Sequence, residues 1–156
     1  EEMESNSVAG WVEPVNEFLR ASSAALFDSV IWQKDADDAA AGTTTAERPI
    51  VVARSGLTIT QAFYVPSASL TANDTNYATI TVSRRNGVGG GADQIAQRST
   101  TVASGGALVA FVPKDLGTIT NATLTIGQLI TVAIAKANAG VVVPSGTLVL
   151  RYTLTS

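Results

Sequence analysis

Leu57-Thr58-Ile59-Thr60-Gln61-Ala62-Phe63-Tyr64-Val65 and, further on, Tyr77-Ala78-Thr79-Ile80-Thr81-Val82-Ser83 decide the fold class of this chain. In the second stretch Ala78, Ile80 and Val82 alternate with Thr79, Thr81 and Ser83, the period of a strand with one face in a core and the other in water. In the first, Leu57, Ile59, Phe63 and Val65 share one parity while Thr58, Thr60 and Tyr64 take the other. Phe63 and Val65 are therefore expected inside with Leu57 and Ile59.

The same texture continues to the C-terminus. Strands are expected at 94–101, 107–112, 118–126, 128–135 and 147–154, with Ile130, Val132 and Ile134 inward in one and Leu148, Leu150, Tyr152 and Leu154 on one face of the last. Around Asn121-Ala122 the parity slips as it would at a bulge. Asn86-Gly87-Val88-Gly89-Gly90-Gly91 reverses or loosens the chain; no Lys-Ser/Thr pair or helix start follows to make it a phosphate cradle. About seven or eight short strands broken by Gly, Pro, Asn and Asp predict an all-β fold, an antiparallel β-sandwich of jelly-roll type.

Upstream the pattern changes. Val8, Trp11, Val12, Val15, Phe18 and Leu19 recur at the spacing of one helical stripe. Pro14 suits a first turn, so a short amphipathic helix is expected from near Glu13 through Ala25. Leu26 to Trp32 fits helix or strand equally. Lys34 to Thr45 has no apolar period and reads as a linker, which places a boundary near residue 50: an acidic arm over 1–49 and a β-sandwich over 50–156. The arm carries ten acidic and three basic side chains, a net −7, against three acidic and seven basic beyond it, a net +4. Such asymmetry permits the arm to dock on the sandwich, while four net positive charges spread over a sheet make no nucleic-acid footprint.

Composition removes most catalytic chemistry. The 156 residues include no His and no Cys, so there is no imidazole base, thiolate nucleophile, disulfide or thiolate zinc site. No Gly-x-Ser-x-Gly elbow or Ser-x-x-Lys pair occurs, and no spacing unites Asp74, Asp93 and Asp115 as a carboxylate pair. Asp35, Asp37 and Asp38 lack the Gly and distal Glu of a calcium loop, and Asn73-Asp74-Thr75-Asn76 is read as a turn. No enzyme, cofactor, metal or small-molecule substrate is expected. The uncharged run 116–135 is interrupted throughout by Thr, Asn and Gln, so it reads as strands and no membrane partner is expected. No secretory signal is visible, and from the start at Glu1 rather than Met a processed or trimmed chain is expected. Hydrophobic residues make up 46% and charged residues only 15%, a lean charge complement expected of a surface partly covered by a partner or by other copies. Trp11, Val15, Phe18, Leu19, Phe27 and Trp32 are the expected partner-binding residues, because the arm holds four of the nine aromatics ahead of the sandwich.

At Val65-Pro66, Leu70 through Ile80 (Leu-Thr-Ala-Asn-Asp-Thr-Asn-Tyr-Ala-Thr-Ile) and Val82-Ser83-Arg84-Arg85 the chain resembles a β-domain of tailed-phage virion proteins, notably capsid decoration and head-fibre proteins. Gly127 through Val132, Gly140, Pro144-Ser145-Gly146 and Leu148 through Tyr152 look like the same domain's end. The resemblance implies a non-enzymatic cement protein, commonly a homotrimer, on the outer surface of an icosahedral head. It would be assembled in the host cytoplasm and bridge subunits of the major capsid protein. The alternative is a receptor- or glycan-binding sandwich of a fibre or tail.

Overall fold

A computed structural model describes residues 29–34 and 47–155, and every regular element within them is a strand. In chain order these are β1 (Ser29–Lys34), β2 (Arg48–Val52), β3 (Leu57–Pro66), β4 (Ala78–Arg85), β5 (Asp93–Ser99), β6 (Lys114–Asp115), β7 (Thr123–Leu124), β8 (Leu129–Lys136) and β9 (Gly146–Leu154). All pairings are antiparallel. One sheet runs β1-β9-β3-β6, with β7 also on β3, and the other runs β2-β8-β4-β5. The pairs β1·β9, β2·β8, β3·β6 and β4·β5 are nested, outermost strand with outermost, as in one long hairpin rolled up. That order across two sheets is the jelly roll. The expected arm helix lies outside the described residues.

The innermost turn of the roll is the Asn86 loop between β4 and β5. Asn86 Oδ1 accepts from the amides of Val88 and Gly90, and Gly89 and Gly91 take positive φ that side chains resist. The core is supplied by alternate residues of both sheets: Leu57, Ile59, Leu148 and Leu150 from one, Ala78, Ile80, Val82, Ile130, Val132 and Ile134 from the other. On β9 the expected inward face ends early, with Tyr152 half-buried and Leu154 65% exposed, because the strand runs past the core.

Strand β3 corrects the expected parity. Its register on β9 skips between Ile59 and Gln61, a bulge at Thr60. Beyond it Ala62, Tyr64 and Pro66 are buried, and Phe63 and Val65 face outward. Tyr64 suits the interior because its hydroxyl donates to the carbonyl of Pro144.

Two expected strands are replaced by other structure. In 107–112 only Leu108 pairs, as a single bridge with Leu70; Ala110 and Phe111 form a turn and the rest is irregular. Of 118–126 only Thr123–Leu124 is strand. Asn121 sits at φ 44°, and the Thr120 amide donates to the Ile95 carbonyl while the Thr120 hydroxyl and Asn121 Nδ2 donate to that of Gln94. The slip of parity there marks a crossing from the β3 edge to the β5 edge and back. It shields the edge of β5 and seals the flank with Leu116 and Leu124.

Candidate functional site

Three loops gather at one end of the sandwich, because the ladders bring Pro66 opposite Gly146, Ala78 opposite Lys136 and Thr79 opposite Ser99. These are 67–77, 100–113 and 137–145. Asn73 starts the first with a tight turn, its Oδ1 accepting from the amides of Thr75 and Asn76 at 2.8 Å each. The neighbouring Asp74 carboxylate accepts from the Val102 amide at 2.8 Å and so ties the second loop to the first. Asn138 Nδ2 donates to the Thr75 carbonyl and joins the third. Beneath them Thr100 is buried; its hydroxyl accepts from the Ala78 amide at 2.9 Å, and its own amide donates to the Ala78 carbonyl. Hydrogen bonds thus hold all three loops in place.

On this scaffold the 100–113 loop presents Val102, Val109, Phe111 and Val112 to solvent, with Phe111 76% exposed. The Phe111 backbone lies at φ 60°, a region that bulky residues avoid, and is held there by its amide donating to the Pro66 carbonyl at 2.8 Å. Single exposed apolar residues are ordinary, but four on one anchored loop with an aromatic among them form a contact surface. The opposite end also exposes apolar side chains: Val52, Val88, Ile126 and Leu154. An open groove of about 430 Å³ lies there between Gly56, Thr155 and the stretch from Thr123 to Ile126.

The charged groups hold structure together. Glu47 grips the Arg85 guanidinium through both carboxylate oxygens and also accepts from the Thr131 hydroxyl. Those hydrogen bonds, Arg85 first and Thr131 second, hold its pKa down at about 2 from an ordinary 4.5. Asp93 pairs with Arg84 at 2.6 Å, Asp115 accepts from the Gly117 amide at 2.7 Å, and Asp74 is engaged as above. Among the described residues no three Asp or Glu side chains gather as metal ligands would.

Trp11, Val15, Phe18, Leu19 and Phe27, expected to bind a partner, lie outside the described residues, as do Asp35, Asp37 and Asp38. Trp32 falls in β1, in register with Leu148. Sequence reasoning missed Phe111 and its neighbours by treating 107–112 as a strand. Ala107-Leu108-Val109-Ala110-Phe111-Val112 is an unbroken apolar run stopped by Pro113, a pattern that reads as a buried strand, so no local signal pointed to its exposure.

No protein-family model matches the chain, and no curated protein matches it in sequence. Among solved structures it is similar to one described as the structure of infectious bursal disease virus Gt strain, at 11% identity and a TM-score of 0.30, over 80% of this chain and 29% of that one. The chain thus spans less than a third of that viral chain's length. The jelly-roll assignment stands on strand order and register.

Proposed function

We propose that this chain is a virion structural protein of the tailed-phage decoration type, a homotrimer that cements the outer surface of an icosahedral head by bridging subunits of the major capsid protein. One observation carries the reading: anchored loops at one end, and a second exposed apolar set at the other, give a rigid body contact surfaces at both ends. A bridging protein needs that arrangement, since it stabilises a shell by binding the assembled form more tightly than free subunits. Three copies make attachment multivalent, so modest contacts per copy add to slow dissociation. The residues that resemble decoration proteins, 70–80, 144–146 and 148–152 among them, include the Asn73 turn and most of β9, which hold the loop end together.

The glycan-binding alternative would use exposed aromatics as sugar platforms. Within residues 47–155 Phe111 is the one exposed ring, and a single ring favours the cement reading. The test is to mix the purified full chain with undecorated tailed-phage heads and image the product by electron cryomicroscopy. Regularly spaced trimeric density on the outside of the head is expected. A monomer with no affinity for heads, or a glycan-array hit without head binding, would overturn it.

A further inference from the structure

The innermost turn of the roll carries the chain's Asn-Gly pair: among the Asn residues of the sequence, only Asn86 is followed by Gly. Residues 86–91 are all exposed, so water and hydroxide reach every atom of the pair. The turn is nevertheless fixed. The Asn86 amide donates to the Gly90 carbonyl and the Gly89 amide to the Asn86 carbonyl, each at 3.0 Å. Arg85 Nη1 donates to the Gly89 carbonyl at 3.0 Å and pins the far side of the loop.

Within this frame the Asn86 carboxamide is folded back along its own chain. Its Oδ1 accepts from the Val88 amide at 3.2 Å and from the Gly90 amide at 2.8 Å. The ring closed by the first of these bonds contains the Gly87 nitrogen, which curls Cγ toward the one main-chain nitrogen able to attack it. Two amides on one carbonyl oxygen polarise it and meet the negative charge that oxygen acquires when a nucleophile adds to Cγ. The attacking and leaving groups, the Gly87 nitrogen and Asn86 Nδ2, donate to no acceptor among the described residues. Gly87 has no Cβ to hinder the approach. The groups that must move are free, and the oxygen that must take up charge is held.

We propose that Asn86 is a self-modification site, closing to a cyclic imide with the Gly87 nitrogen and opening to Asp. Hydroxide takes the Gly87 amide proton, the nitrogen bonds to Cγ, and the Cγ–Nδ2 bond breaks, Nδ2 leaving as ammonia with a proton from water. Water then opens the imide. Addition at Cγ breaks its bond to the Gly87 nitrogen and leaves an Asp side chain on an unaltered main chain. Addition at the Asn86 main-chain carbonyl carbon breaks the peptide bond instead and reroutes the chain through Cβ as isoaspartate. The turn favours the first product: it keeps both main-chain hydrogen bonds and makes the Val88 and Gly90 contacts charge-assisted, whereas isoaspartate displaces the carbonyl that accepts from Gly89. The new carboxylate lies next to Val88, in the exposed apolar set with Val52, Ile126 and Leu154. Conversion thus charges one end of the sandwich, and it does not depend on the cement reading.

The test incubates the full chain at mildly alkaline pH, folded and, in parallel, unfolded in urea, and follows each Asn by peptide mapping that separates Asp from isoaspartate. In the folded chain Asn86 is expected to convert at least tenfold faster than any other Asn, with an isoaspartate-to-Asp ratio at least threefold below that in urea. Hydroxylamine, which traps the imide, should split the folded chain between Asn86 and Gly87. Gly87→Ala should slow the conversion at least tenfold. A Cβ there would stand 3.1 Å from the Gly127 carbonyl oxygen, so if that variant does not fold, the wild-type rates in the two states decide. An Asn86 that persists in the folded chain while converting in urea overturns the proposal, and so does an isoaspartate ratio equal in both states.

Discussion

Glu47 closes the ladder between β2, β4 and β8 on the outer face, holding Arg85 and Thr131 at once. Because its folded pKa is depressed to about 2 from 4.5, its stabilisation is complete above pH 4.5 and is lost as pH falls toward 2. Glu47→Gln is expected to cost about 1 kcal/mol at pH 7, a value suited to a bidentate pair that is still partly solvated. It should also flatten the acid limb between those pH values, read by urea unfolding at a series of pH. Gly106 is fixed by space: a Cβ there would stand 2.1 Å from the Ser99 carbonyl oxygen and 2.4 Å from Thr100 Cα. Gly106→Ala should therefore lose about 2 kcal/mol or more by forcing backbone apart under the loop end. Gly89→Ala meets nothing nearby and should cost about 1 kcal/mol for its φ of +80° alone, a contrast that thermal unfolding would measure.

At the scale of elements, β3 shows how one residue redirects a strand. Deleting Thr60 removes the bulge, so either Leu57 and Ile59 or Ala62, Tyr64 and Pro66 must leave the core. Loss of about 3–6 kcal/mol is expected from two large buried side chains, seen as a collapsed thermal transition. An intact transition would show that the bulge is dispensable. Strand β1 makes the second case. It lies ahead of the change of texture near residue 50, yet pairs with β9 along six positions from Ser29 to Lys34. Truncation to residue 28 should leave the fold soluble. Truncation to residue 34 bares the β9 edge from Gly146 to Arg151 and should aggregate, as light scattering would record.

For the molecule as a whole, the proposed function makes the loop end and the remote end separate contact surfaces, since each exposes apolar side chains. Phe111→Ser with Val109→Ser is expected to lower head binding at least tenfold, the loss of one aromatic anchor and its neighbour. The same variant should keep the unfolding temperature, since both side chains are already in water. Unchanged binding with unchanged stability would move the contact elsewhere.

The sequence by itself determined the all-β class, the inward faces of β4 and β8, the Asn73 turn and the Asn86 hairpin, because each is a local matter of alternation or backbone geometry within a few residues. Tertiary structure alone decided four things: that residues 29–34 form a strand, that Tyr64 goes inside while Phe63 and Val65 face out, that 118–126 crosses between sheets, and that Phe111 is exposed. Each depends on what stands opposite, a β9 edge to pair with, a Pro144 carbonyl to reach, a β5 edge to cover, a Pro66 carbonyl to hold a strained amide. Those partners lie far along the chain, and short-range pattern carries no information about them.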